Sequence, residues 1–534
     1  MWQQLYSQTG TMTRFLLRRD RILLPIWIFS IVFVTFLTAN AFTGLYGSEQ
    51  ERQAIAETMK NPAMTAMVGP GYGLENYHEG AMMAHQMLLF TAIVVAIMSI
   101  LLVNRHTRSD EEEGRIELIR SLPVGQLSNL TATVIVLFSA NIVLALLTAF
   151  SLFALRIESM DLQGSLLYGA ALGVTGMLFT GVTALFAQLS ENTRGAIGFS
   201  FTMLMVAYLI RAVGDVSNEA LSMVSPLGWI LATEVYVNNY WWPIFLTFFV
   251  AIILVALALY LNSIRDLESG FLPSRPGKKH ASRFLQSPFG LAFRLQRTGI
   301  IAWAIGMYVL GSSYGSVLGD LEMFLESSDM MREMLQAVEG FSLTEQYLSM
   351  LMSVISMVSS IPALMFILKL KGEEKNARTE HLLARAVSRQ RLMASYLSIS
   401  VLFGFMIQFL AIFGLWSAGA AVMDEPIAFG TIFEAGMVYL PAIWILTGLA
   451  VFLIGYFPQW TGLTWLYLGY SFFVVYLGGL LQFPEWMEKL SPFGYTPQIP
   501  VEEMNVLKML LLTFIAVALI VSGFICYRKR DIAG

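Results

Sequence analysis

A chain of 534 residues that is 56% hydrophobic and only 13% charged, with a mean hydropathy of +0.64, is not a soluble globular protein, whose charged share is about 25%. Its net charge of -4 is spread thinly, which excludes the basic patch that a nucleic-acid binder needs. A single cysteine, Cys526, excludes an intramolecular disulfide framework.

The first apolar run, 22–43, follows the basic "RFLLRRDR", and Ala39-Asn40-Ala41 imitates a signal-peptide cleavage site. The run is longer than the roughly 7–15 residues of a signal core, so it reads as a retained span. Further apolar windows fall near 85–104, 129–155, 164–189, 196–213 and 241–262. A second set falls near 298–318, 349–370, 392–418, 430–457, 463–482 and 507–527. Each suits a helix crossing a hydrocarbon layer of about 30 Å. The chain is therefore expected to be an all-α polytopic membrane protein with twelve transmembrane helices.

Most of the 33 Lys and Arg residues gather on one side of these windows. That side holds Arg14, Arg18, Arg19 and Arg21, then Arg105, Arg108, Arg115 and Arg120, then the linker from Arg265 to Arg297 with Arg275 and Lys278. The alternate segments hold few, among them Arg52, Lys60, Arg156 and Arg332. The positive-inside rule then places both termini in the cytoplasm.

Between the second and third windows the chain carries "RSDEEEGRIELIRSLPVG", Arg108 to Gly125, and the second set carries "KGEEKNARTEHLLARAVSR", Lys371 to Arg389, in the same place. At a spacing of 263 positions Glu111, Arg115 and Glu117 fall on Glu374, Arg378 and Glu380. On a helix, Glu at i and Arg at i+4 share a face and are expected to pair in each copy. Other landmarks recur: "RDLESG" from Arg265 and "RDIAG" from Arg530, "SPLGW" from Ser225 and "SPFGY" from Ser491, Arg21 with Trp27 and Arg297 with Trp303. These indicate two parallel six-helix repeats, 1–280 and 281–534, joined by the Pro-, Gly- and Lys-rich linker from Leu272 to Gly290.

"RIELIRSL" is expected to form a short amphipathic helix, with Ile116, Leu118, Ile119 and Leu122 on its apolar face and Pro123 ending it. The second copy is less regular, with His381 and Arg385 at apolar positions. An ordinary solvated loop with local ion pairs, worth about 0.3–0.5 kcal/mol each, is the plainer reading of either copy alone. Duplication favours function.

"EEEGRIELIRSLPV" resembles the coupling-helix motif of type-2 ABC exporter permeases, and "EEKNARTEHLLARAVSR" resembles its second copy. The length, the fused halves and "RTEHLLA" resemble bacterial polyketide-antibiotic exporter permeases of the tetronasin type. The second copy departs from the motif where Ala377 stands for Gly114 and Ala386 for Pro123, which implies a different helix end there. The resemblance implies that Glu111, Arg115, Glu117, Pro123, Glu374, Arg378 and Glu380 couple the chain to two copies of a separate ATPase. It also implies a hydrophobic or amphipathic small-molecule or peptide substrate and a bacterial cell membrane. The chain has no G-x-x-x-x-G-K-[ST] phosphate loop, so ATP and Mg are expected on the partner, with no cofactor in this chain and no enzymatic chemistry of its own.

Glu434, inside the tenth window, is an intramembrane carboxylate and a substrate-pathway residue by default, or else it reaches the interface near the outer end of its span. Arg211, near the end of the fifth window, reads as snorkelling, with Glu434 as an alternative partner. "GAALG", Gly169 to Gly173, reads as a close helix contact. The outer segments at 49–73 and 320–341 read as amphipathic helices on the membrane surface. "HEGAMMAH", His78 to His85, lacks zinc-ligand spacing.

The reading is an ATP-driven exporter permease working by alternating access. Its rivals are an ion-gradient-driven secondary transporter of twelve helices, a membrane-embedded enzyme on lipid-linked substrates, and a non-transporting drug-sensing subunit. The first rival would want buried acids along a pathway, of which only Glu434 offers itself.

Overall fold

The computed structural model describes residues 2–45, 48–267, 269–272, 279–319, 343–423, 425–481 and 484–530. Among them every regular element is a helix. The chain divides into two compact units, Met1–Gly277 and Lys278–Gly534.

The principal helices of the first unit are α1 (Thr9–Arg19), α2 (Leu23–Leu45), α3 (Glu49–Met59), α4 (Pro62–Val68), α5 (Glu79–His106), α6 (Arg108–Glu112), α7 (Arg115–Arg120), α8 (Ser128–Ala154), α9 (Leu162–Leu189), α10 (Thr193–Ser217) and α11 (Trp242–Ile264). Those of the second are α12 (Pro288–Gly315), α13 (Leu343–Lys375), α14 (Glu380–Leu383), α15 (Arg389–Val422), α16 (Phe429–Met437), α17 (Leu440–Tyr456), α18 (Leu463–Leu481) and α19 (Val506–Lys529).

Ten helical stretches among the described residues are long and apolar enough to cross a membrane. The windows at 298–318 and 463–482 fall on α12 and α18, which are not among the ten. Gly306, Gly311, Ser312, Ser313 and Gly315 dilute the apolar run of α12, and α18 ends at Leu481 beside residues outside the description. The outer segment at 320–341, Arg275, Lys278, Arg332 and the Asp531 end of the second "RD" landmark also lie outside the described residues.

In the first unit α9 is the central helix, buried along nearly all its length against α5, α8 and α11. "GAALG" makes this possible. A Cβ on Gly169 would sit 2.2 Å from the Ala145 carbonyl oxygen of α8, so only glycine permits the crossing. Side-chain caps fix where the helices begin: Asp161 accepts from the Gly164 N–H at the start of α9, and Asn192 from the Gly195 N–H at the start of α10. In the second unit α13 and α17 occupy the interior, and α17 lies along α19. The outward faces carry large apolar side chains, such as Phe245 and Phe249 on α11 and Leu507 and Phe514 on α19. Rows of this kind suit contact with lipid rather than water.

The 49–73 segment forms α3 and α4, whose residues Ile55, Ala56, Met59 and Val68 are buried. Arg211 does not snorkel. It is fully buried, its guanidinium pairs with Asp215 at 3.0 Å, and it donates to the carbonyls of Thr65, Ala66 and Met67 near the end of α4. The Thr65 carbonyl also accepts from the Gly69 N–H, whereas those of Ala66 and Met67 lie in the last turn, where carbonyls lack helical partners, so the buried arginine satisfies that end and takes Asp215, not Glu434, as its carboxylate. His78 caps α5 by accepting from the Ala81 N–H, and buried His85 lies between Tyr77 Oη at 2.7 Å and the Gly69 carbonyl at 3.2 Å.

Candidate functional site

Each charged insert begins at the end of a long helix and turns at one residue with positive φ. In the first unit α5 gives way at Thr107 to α6, and Gly114 at φ 70° separates α6 from α7. In the second, α13 runs unbroken to Lys375, and Ala377 at φ 55° precedes α14. Ala377 stands 263 positions after Gly114, so the left-handed turn is kept although the glycine is not. The short helices end at equivalent residues, Arg120 and Leu383. The bonds that close them also match: Ser121 N–H to the Glu117 carbonyl and Ala384 N–H to that of Glu380, Val124 to Leu122 and Val387 to Arg385. The expectation of a different end without Pro123 is thus corrected. The copies differ at the start, where α14 begins two residues later in register than α7.

The expected i, i+4 pairing within each insert is also corrected. Arg115 pairs with Asp110 at 2.9 Å and with Glu113, and Arg378 pairs with Glu373 at 3.5 Å. Asp110 and Glu373 are again 263 apart, an equivalence that the Glu-Arg-Glu spacing hid. The carboxylates of Glu111 and Glu374 turn inward instead. Glu111 is buried and accepts two bonds from Arg265, at 3.0 and 2.9 Å, with Arg108 3.2 Å away. Glu374 is buried, accepts from Arg530 at 2.5 Å and from Tyr527 Oη at 2.6 Å. Arg265 and Arg530 open the two "RD" landmarks just past α11 and α19. The landmark repeat was readable, but its partner was not. In each unit a buried carboxylate therefore ties the insert to the end of that unit's last helix, through paired bonds for Glu111 and Arg265 and through one bond plus the tyrosine hydroxyl for Glu374.

Further bonds lock the first insert. Arg108, almost fully buried, donates from Nε to the Ala187 carbonyl at 2.5 Å and from Nη2 to that of Ser269 at 2.7 Å. Glu112 accepts from the Thr193 N–H and hydroxyl at 2.6 and 2.7 Å, at the start of α10, where a carboxylate is favoured. Asp110 also accepts from Arg19 at 2.7 Å, and Arg19 reaches His106 Nδ1 at 2.8 Å. The Nε2 of His106 lies 2.5 Å from Asp20, and both side chains are fully buried. Burial pushes the Asp20 carboxyl up, but the hydrogen bond and charge of His106, with the charges of Arg105 and Arg19, more than reverse this and hold it below the usual range.

The short helices leave one face outward. Ile116 is buried and Ile119 half-buried, whereas Glu117, Leu118, Ser121 and Leu122 are exposed, Leu118 at 72% and Leu122 at 59%. The apolar residues do not share a face: one pair packs inward, the other projects. In the second copy Glu380, His381, Ala384 and Arg385 are exposed and Thr379 is buried. His381 and Arg385 hold the outward positions of Leu118 and Leu122, which explains the irregular pattern. Pro123 is exposed beyond α7. Glu434 is exposed on α16.

A family model described as "Multidrug efflux system permease Rv1217c, C-terminal domain" matches residues 11–261 and 285–528. A relative, the "Multidrug efflux system permease protein Rv1217c" of Mycobacterium tuberculosis (strain ATCC 25618 / H37Rv), is 35% identical over 531 residues, covering 98% of this chain and 95% of the relative. With apolar helices of spanning length and these matches over nearly its whole length, the chain is a multi-pass membrane protein that belongs to the Rv1217c family of multidrug efflux permeases.

Proposed function

We propose that the chain is the membrane subunit of an ATP-driven exporter of ABC type, with twelve spans, cytoplasmic termini and a separate ATPase under each half. One observation carries the reading: both inserts are fastened by a buried carboxylate, Glu111 or Glu374, to an arginine at the end of the last helix of their unit. A loop with only solvated ion pairs would absorb a push, whereas a joint of this kind passes it to the bundle. ATP and Mg belong to the partner subunits, whose closure draws the two short helices together and biases the permease between inward- and outward-open states. The docking faces are Glu117 and Leu118 on α7 with Leu122 just past it, before Pro123, and Glu380 and His381 on α14 with Arg385 just past it. Arg115 and Arg378 brace the inserts through Asp110 and Glu373.

The substrate class is hydrophobic or amphipathic, of the antibiotic-like kind that the relative's multidrug name and the tetronasin-type resemblance support. Glu434 is the carboxylate available to a cationic substrate on α16. Co-expression with the ATPase encoded beside it tests the reading. A complex with ATPase activity that Glu117→Ala with Glu380→Ala uncouples supports it, and intact transport in that variant without any associated ATPase sinks it. Glu434→Gln belongs in the same assay, where lost transport with preserved ATP turnover assigns it to the pathway.

A further inference from the structure

The repeat provides an internal control, because a position that is filled in one unit is hollow in the other. Behind α7 lies a small cavity of about 30 Å³ with a mixed lining, in which Glu111, Arg120, Gln126, Asn129, Asn262 and Arg265 are the principal polar residues beside Ile116, Ile119 and Leu130. It adjoins an open depression of about 390 Å³ edged by Arg120, Gln126, Arg265 and Asp266. In the second unit the residues 263 positions after Arg120 and Gln126 are Leu383 and Arg389, and Tyr527 stands three residues before Arg530 as Asn262 stands three before Arg265. Tyr527 is fully buried there with its hydroxyl on Glu374, and Arg389 donates to the carbonyls of Arg528 and Arg530. There Glu374 is met directly by Arg530 and the tyrosine hydroxyl, and Arg389 is held by backbone carbonyls.

In the first unit two guanidiniums, Arg120 and Arg265, line both the cavity and the depression; Glu111 is bonded to Arg265, and Asp266 is exposed at the mouth. Arg265 is 8% exposed, and its Nε has no hydrogen-bond partner among the described residues. Arg120 is half-buried and makes no ion pair or hydrogen bond among them. Burial lowers the pKa of Arg120, with Arg265 adding repulsion that Glu111 opposes. An unpaired, partly desolvated guanidinium beside a second one is costly unless an anion joins them. Gln126 adds a side-chain amide at the same edge, already donating to the carbonyls of Asn262 and Ser263 at the end of α11.

We propose that this depression is a binding site for one phosphate oxyanion, held chiefly by Arg120 with Arg265 behind it, and that the second unit has no such site. Guanidiniums suit phosphate because their fixed fork of donors meets its oxygens in pairs. The group comes either from the head of an anionic phospholipid, since the site lies at the end of a spanning helix, or from free phosphate. The inference rests on the fold and the repeat, not on the ATP-driven reading, and its assay contains no ATPase.

The full chain in detergent is titrated in two arms, phosphatidylglycerol followed by native mass spectrometry and inorganic phosphate followed by thermal shift. One bound phosphatidylglycerol per chain is expected, weakened roughly tenfold or more by Arg120→Ala, kept largely by Arg120→Lys and untouched by Arg391→Ala, an exposed arginine in the first turn of α15. Saturable stabilisation by inorganic phosphate that Arg120→Ala removes, without lipid retention, assigns the site to the free anion. No saturable binding in either arm, or equal binding by wild type and an Arg120→Ala chain that melts at the wild-type temperature, overturns the proposal.

Discussion

Glu111 accepts two bonds from Arg265 across 154 positions of chain, and Glu374 meets Arg530 in the same register of the second unit. Both carboxylates are buried, so removing one partner strands a charge away from water. Glu111→Ala and Arg265→Ala are each expected to cost about 3–5 kcal/mol, and the double substitution less than their sum. Melting of the four proteins of this cycle, in detergent, checks it. Additive losses would mean that the two side chains act independently.

Ala377 occupies the left-handed turn that Gly114 fills in the first insert, at φ 55° and 70°. An L residue with a Cβ costs about 1–2 kcal/mol there, part of which the greater freedom of unfolded glycine returns. Ala377→Gly is expected to raise stability by about 0.5–1 kcal/mol. Gly114→Ala is expected to lower it by a similar amount, with no clash involved, since nothing lies within 4 Å of the added methyl. A lower melting temperature for Ala377→Gly would remove backbone strain as the reason.

Hydropathy and repetition made the helical fold legible, because a membrane span is a property of about 20 consecutive residues and needs no knowledge of partners. The inserts were legible as a pair for the same reason. The wiring inside them was not. Glu111, Arg115, Glu374 and Arg378 were aligned correctly, but helical spacing paired each glutamate with the arginine four residues on, and a turn at Gly114 or Ala377 intervenes. Once the helix breaks, local periodicity no longer decides who meets whom. Asp110 and Glu373, Asp20 and His106, and Tyr527 were missed because their roles depend on contacts between distant segments. The recurrence of the "RD" landmark directly after the last helix of each unit was the signal available for Arg265 and Arg530.

Leu118 on α7 and Leu122 just beyond it are exposed, while His381 and Arg385 stand at the matching positions on and just beyond α14. Exposed leucines on a charged insert contribute little to folding and much to an apolar contact. Leu118→Asp with Leu122→Asp is expected to leave the melting temperature within about 1–2 °C, the scale of a small surface effect. It is expected to weaken capture of the proposed ATPase partner by roughly tenfold or more, since burying even one leucine is worth about 1.5–3 kcal/mol. His381→Asp with Arg385→Asp acts on a face without that apolar area and is expected to show a salt-dependent loss. Equal, salt-independent losses on both sides would refute the inequality of the two faces.

Asp20 carries the last prediction, which concerns pH. Its carboxylate lies under His106 and Arg105 and has its pKa held below the usual value, which is about 3.9 in an unfolded chain. A folded-state pKa below the unfolded one means that the folded form holds its proton less tightly, so the stabilisation is complete above about pH 4. It fades as pH falls through the folded value. Asp20→Asn removes the charge and leaves the surrounding donors with a poorer acceptor, at a cost of about 1–3 kcal/mol near pH 7. The gap in melting temperature between wild type and Asp20→Asn is therefore expected to stay constant from pH 7 to about pH 5 and to narrow below pH 4. The Arg19–Asp110 contact shares this cluster, so Asp110→Asn is measured alongside. A gap that widens on acidification would show that the folded state raises the Asp20 pKa, with desolvation outweighing His106 and the arginines.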